Sequence, residues 1–244
     1  MSQRGLGAGE GHVPRHFHEE LEQVKEKLLK LGSLVETMVE RAVASLVDRD
    51  SRLAEEIIAS DRKVDALDVE IDGDCLRLLA LQQPAAKDLR FITTAMKITT
   101  DLERMADQAV NLCQRAIELN EEPQLKPYID IPIMSQLAQK MLRDSLDAFV
   151  RRDAELARQV IPADNKVDAL KNQVFRELLT FMMEDPRTIP RAIRLILVSR
   201  HLERLADHAT NIAEMVVFLV EGKNIRHAPY DKETGRPPGP SNSR

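Results

Sequence analysis

Two stretches decide how this chain is read: Asp101–Asn111, DLERMADQAVN, and His201–Asn211, HLERLADHATN. Both carry Leu-Glu-Arg-x-Ala-Asp-x-Ala-x-Asn, one hundred residues apart. Working outward, Lys63-Val-Asp-Ala-Leu67 returns as Lys166-Val-Asp-Ala-Leu170, and Asp50 returns as Asp153, both at an offset of 103. The chain therefore aligns to itself as a tandem duplication, with three residues lost around the hairpin of the second copy.

The repeated unit is helical. Aromatic residues make up 3% of the 244 and Trp is absent, whereas good helix formers abound. Of nine glycines only Gly32 and Gly73 lie in the body of the chain, too few for a turn-rich β fold. From Phe17 to Asp48 the residues Leu21, Val24, Leu28, Leu31, Val35, Met38, Ala42 and Ser45 fall at alternating steps of three and four, one long amphipathic helix. A short segment, Arg52–Ile58, follows, then helices over Asp61–Gln83 and Ala85–Leu119. Glu121–Pro132, EEPQLKPYIDIP, has three prolines in twelve residues and reads as a linker. The second copy gives helices over Ile133–Arg152, Asp164–Glu184 and Pro190–Glu221. The expected fold is all-α, a tandem repeat of two pseudo-symmetric three-helix bundles. Its boundaries are a disordered tail at 1–16, a first repeat at 17–122, a linker at 123–132, a second repeat at 133–221 and a disordered tail at 222–244.

A net charge of −5 argues against nucleic acid as a partner. There is no apolar run long enough for a membrane span and no secretion signal, so a cytoplasmic location without direct membrane insertion is expected. Cys75 and Cys113 lack metal-type spacing and read as reduced core thiols.

Glu103, Asp107 and Asn111 are four apart and form one polar stripe; Asp61 and Asp65 form another. If the two helices fold back on each other with equal rise, Asp61 lies level with Asp107 and Asp65 with Glu103 when both pairs share a midpoint. They do, at Pro84. In the second copy Asp164 with Asp207, and Asp168 with Glu203, share a midpoint between Asp185 and Pro186. The three-residue loss moved the turn and kept the acids level. Like charges within about 6 Å repel by roughly 3 kcal/mol at an effective dielectric near 20, so such a cluster raises its own pKa values or recruits a cation. Oxygen donors suit iron, manganese, magnesium or calcium, with zinc an alternative. One carboxylate metal site per copy is expected, from Asp61, Asp65, Glu103 and Asp107 and from Asp164, Asp168, Glu203 and Asp207. Asn111 and Asn211 are either outer ligands or hydrogen-bond a neighbouring helix. Asp68 and Asp72 extend the acidic stripe, but Lys171 and Phe175 replace them in the second copy, which leaves them on the solvated side. Arg104 and Arg204 are expected to pair with acids, and His201 and His208 to have a surface role.

With D-x-K-V-D-x-L on one helix, L-E-R-x-A-D-x-A-x-N on the next and a terminal E-G-K, residues 17–227 resemble the PhoU family of phosphate-transport accessory proteins. The resemblance implies a cytoplasmic negative regulator of phosphate uptake and phosphate-regulon signalling, often a homodimer, without catalytic residues. It implies multinuclear iron or zinc clusters on paired E/D-x-x-x-D motifs, which fall on the eight carboxylates above; iron is the first expectation. The implied partners are the PAS domain of a sensor histidine kinase and the ATPase subunit of the phosphate transporter, which would bring the protein to the inner face of the membrane. Two readings from other classes stay open. A ferritin-like di-metal oxidase would need Glu-x-x-His, where this chain has Ala106 and Ala206; a helical adaptor would bind no metal.

Overall fold

The first repeat of the computed structural model, which describes residues 15–82 and 84–225, is built from three helices of 32 to 35 residues: α1 (Arg15–Val47), α2 (Ser51–Gln82) and α3 (Ala86–Asn120). The second consists of α4 (Asp130–Arg151), α5 (Ala154–Val160), α6 (Asp164–Glu184) and α7 (Ile189–Glu221). The two expected tails fall mostly outside the described residues, and no strand is found among those described. No described helix is long and apolar enough to cross a membrane.

The seam read from the sequence of α1 is the buried one, from Phe17 through Leu21, Val24, Leu28, Leu31, Val35, Met38 and Ala42. Each repeat then turns the same corner. Arg49 and Arg152 both take up left-handed backbone, with φ of 57° and 52°. The next residue, Asp50 or Asp153, caps the following helix: Asp50 Oδ1 accepts from Leu53 N, and Asp153 Oδ1 from Glu155 N and Leu156 N, all at 3.0 Å. The matching acids found by self-alignment are thus matching caps.

The second helix departs from expectation. The segment Arg52–Ile58 is not separate, because nothing between Ile58 and Asp61 breaks the helix and α2 runs straight through. In the second copy Pro162 stands where the first has Ala59. It lacks an N–H and clashes with the preceding turn, so α5 stops at Val160 and a 3₁₀ turn, Ile161–Ala163, leads into α6. The linker is also shorter than expected: α4 starts at Asp130, and Pro132 sits in its first turn, where a proline is tolerated.

The hairpins turn where the carboxylate spacing requires, between Gln82 and Ala86 and between Glu184 and Ile189. In the second, Asp185 accepts from Arg187 N, and Thr188 Oγ1 donates to Phe181 O and Asp185 O. This 3₁₀ turn, Pro186–Thr188, replaces the first turn of α3 and accounts for the three missing residues.

The repeats share one apolar core. Helix α3 packs against α7, and α1 crosses α4 at Gly32, where an added Cβ would come within 2.3 Å of Leu146 Cδ1. Phe91 on α3 stacks on Phe149 on α4 with ring centroids 5.5 Å apart.

Candidate metal centres and the seam between repeats

The carboxylates of the first repeat lie on facing sides of the α2–α3 hairpin, near enough for Asp107 to act on Asp61 and Asp65 on Glu103. The Asp61 carboxyl is raised above its ordinary range by burial and by the charges of Asp65 and Asp107. Glu103 is raised by burial and by Asp107, opposed by Arg104, with Asp68 and Asp65 adding to the rise. Asp61 and Glu103 thus feel their expected partners on the facing helix, Asp107 and Asp65. Asp68, expected on the solvated side, belongs to the cluster: it is half-buried, raised by burial and by Asp72 and Asp65, and in turn acts on Glu103. The sequence signal was available, since Asp65 and Asp68 are three apart and so share a helix face as surely as residues four apart. Arg104 lies on the rim, 3.4 Å from Glu103 and 3.2 Å from Asp107, as expected; its counterpart Arg204 lies instead near His201.

The second cluster lies across α6 and α7. The Asp164 carboxyl is pushed up to about 6 by burial, then by Asp207, Asp168 and Glu203, with Lys171 opposing. Its Oδ1 is buried without a hydrogen-bond partner. Burial, Glu203 and Asp168 raise Asp207 against His208 and Lys171. A lysine sits within this group: Lys171 Nζ donates to Asp168 Oδ1 at 2.8 Å and to Glu203 Oε1 at 2.9 Å. Among the described residues no three acid, His or Cys side chains are arranged to hold a metal ion.

The histidines are where the structure departs most from the sequence reading. His201 and His208 lie on the seam between α3 and α7, not on a free surface. His201 Nδ1 is 2.9 Å from Gln108 Oε1, and His208 Nδ1 is 2.8 Å from Asp101 Oδ1. Asn211 Nδ2 also donates to Asp101 Oδ1, at 3.2 Å, so of its two expected roles it fills the contact with a neighbouring helix. Asn111 is half-buried on α3. Burial, then Arg204, Arg115 and Arg200, push the His201 imidazole down to about 4, so it is neutral at pH 7. Both thiols are buried and pushed up to about 12, chiefly by that burial, which makes them inert core groups.

Fold and site together define a class: a duplicated helical bundle that shows a cluster of paired carboxylates on each of its two hairpins. The PhoU domain family model matches residues 28–116 and 131–216. A phosphate-specific transport system accessory protein PhoU homolog of Aquifex aeolicus is 46% identical over 217 residues, 89% of this chain and 98% of that protein. The homolog of the same name from Pseudomonas aeruginosa is 44% identical over 217 residues, 88% of this chain and 90% of that one. The crystal structure of PhoU from P. aeruginosa superposes with a TM-score of 0.82 at 45% identity, over 85% of this chain and all of that one. The phosphate transport system regulatory protein PhoU from Streptococcus pneumoniae gives 0.80 at 32% identity, over 86% and 99%. The chain belongs to the PhoU family.

Proposed function

We propose that the chain is a non-enzymatic accessory protein of a phosphate transport system that restrains phosphate uptake and signalling when phosphate is plentiful. In this reading it works in the cytoplasm as a homodimer and bridges the transporter's ATPase subunit to the PAS domain of the sensor histidine kinase. The names of its relatives, which cover nearly their whole length, support the transport role. The observation that carries the metal part is the placing of like-charged side chains on facing helices of each hairpin, with carboxyl groups raised first by burial and then by one another's charge. A soluble helical bundle gains nothing from such repulsion unless a cation offsets it.

The donor types suit a hard cation, although among the described residues no three of them are arranged to hold one, so binding would draw the side chains together. All first-repeat donors are carboxylate oxygens, and Asp164 Oδ1 in the second repeat is buried and unpartnered. Asp61, Asp65, Glu103 and Asp107 would hold the ion in one repeat, and Asp164, Asp168, Glu203 and Asp207 in the other, with iron favoured and zinc, manganese, magnesium or calcium as alternatives. A bound cation supplies the positive charge that clips α2 to α3 and α6 to α7. Each hairpin then offers a fixed outer face for a partner to dock on.

The test is a pull-down with the purified ATPase subunit and sensor PAS domain, with and without chelator, beside a phosphate-repressed reporter in a gene-deletion strain. Deletion should release the reporter at high phosphate, and the wild-type chain should restore repression where Asp107→Ala/Asp207→Ala does not. Capture indifferent to chelator would remove the metal from the mechanism, and a reporter indifferent to deletion would remove the regulatory role itself.

A further inference from the structure

The two carboxylate clusters are equivalent by duplication but not by charge. Asp68 in the first repeat corresponds to Lys171 in the second, at the same offset of 103 that relates the K-V-D-A-L motifs. The first cluster therefore draws five carboxylates from its hairpin and no lysine, whereas the second draws four and one lysine. Lys171 is not an ordinary surface cation. Its side chain is only 25% exposed, and its ammonium reaches a carboxylate on its own helix, Asp168, and one on the facing helix, Glu203. The arginines of the repeated strings do not explain the difference, because Arg104 and Arg204 occur in both copies and Arg104 stays at the solvent rim, 58% exposed.

Resting on the metal reading above for the first repeat and replacing it for the second, we propose that Lys171 is a built-in counter-ion that takes the place of a metal ion between α6 and α7, so that the first repeat binds divalent metal and the second is closed to it. The ammonium already bridges the two helices at the level of Asp168 and Glu203, the bridge a metal would otherwise make. A divalent ion entering there must displace the lysine from both partners or tolerate its charge a few ångströms away. The first repeat has the opposite arrangement: Asp68 adds negative charge at the corresponding place, and the pair Asp65 and Glu103 has no ammonium between them. One hairpin is thus clipped permanently by its own side chain, and the other only when metal is present. Metal availability would then alter the outer face of the first repeat alone.

The test uses the full chain, stripped with chelator, dialysed and titrated with manganese(II), with free manganese counted by electron paramagnetic resonance and folding checked by circular dichroism. Asp61→Asn/Asp107→Asn blocks the first cluster. In that background the remaining affinity should be weaker than wild type by at least about tenfold. Adding Lys171→Asp should restore it, and Lys171→Met should restore part of it, which separates loss of the cation from gain of a ligand. The mirror change Asp68→Lys in the otherwise intact chain should weaken manganese binding to a similar degree. A first-cluster-blocked chain that binds as tightly as wild type, or that gains nothing from Lys171→Asp, overturns the inference. If the wild-type chain binds no manganese while the Lys171→Asp chain does, the metal reading of the first cluster falls and the role of the lysine stands; if neither binds, both fall.

Discussion

Helices α3 and α7 each carry two polar stripes, and the stripe facing outward is composed differently from the stripe facing the sister helix. The outward residues are the same in both copies: Glu103 and Glu203, Asp107 and Asp207. Each copy meets only its own hairpin there, and the charges are alike except for Lys171 in the second copy. The inward residues differ between copies. Asp101 corresponds to His201 and Gln108 to His208, and each meets the other's counterpart across the antiparallel seam, Asp101 with His208 and Gln108 with His201. Buried polar groups must find partners, so the seam is complementary. The outer cluster sits where solvent or a cation can offset it, and so keeps a repulsion that the seam could not tolerate.

The comparison breaks most severely at residues that serve both sides. Leu202 is fully buried beside Glu203, on a helix that packs in its own bundle and in the seam. Leu202→Ala is expected to cost about 2–5 kcal/mol through lost burial and the cavity left behind. Because the two repeats share one core, urea unfolding followed by circular dichroism should show a single transition moved to lower denaturant. Two separate transitions would mean that the repeats fold independently and that the seam is not part of the core.

Much of this was legible in the sequence, for a reason particular to duplication. Carboxylates that must stay level constrain the hairpin midpoints, so the turns at Pro84 and at Asp185–Pro186 could be found from the spacing of Asp61, Asp65, Glu103 and Asp107 and of their counterparts. The matching Asp50 and Asp153 likewise marked two helix caps. What escaped depended on three-dimensional neighbours. Periodicity locates an apolar face but does not say which polar residues at its edge will meet another helix; His201 and His208 read as surface residues in sequence, and only the packing of α3 on α7 gives them partners. Asp68 reads as solvated because its counterpart is a lysine, although that lysine occupies the corresponding cluster and bonds to it. The break at Pro162 is visible as a proline, but its effect is recognised only beside Ala59, where the helix continues.

The two regions should respond to acid with opposite sign. His201, with its imidazole held near 4 in the native seam against an ordinary 6.5, contributes stability that is present above about pH 6.5. Between there and pH 4 the unfolded chain takes up a proton that the native chain refuses, so stability falls as pH falls. Asp164, raised to about 6 from an ordinary 3.8, contributes stability that is present below pH 3.8 and lost as pH rises through 6. Denaturant midpoints of the metal-free protein between pH 7 and 4 should therefore separate with mutation. His201→Gln, which keeps a hydrogen-bonding group opposite Gln108, should lessen the loss on acidification, and Asp164→Asn should steepen it. Parallel pH profiles for both variants and the wild type would show that neither group is perturbed as its surroundings require.

The smallest effect is the one that tests whether the outer charges serve the fold at all. In metal-free protein Glu103 is surrounded by Asp65, Asp68 and Asp107, with only Arg104 on the opposing side, and its side chain is 27% exposed. Neutralising it removes repulsion and deletes little packing, since Glu and Gln are nearly isosteric. Glu103→Gln should leave the stripped chain as stable as wild type or more stable, by no more than about 0.5 kcal/mol, the ordinary range for surface changes. Asp101→Asn on the same helix removes the carboxylate that receives both His208 and Asn211, and should destabilise instead. Opposite signs for two acid-to-amide changes half a turn apart on one helix would tie the difference to what each stripe faces. If Glu103→Gln destabilised the stripped protein as Asp101→Asn does, the outer acids would be structural, and the case for a cation between them would lose its physical ground.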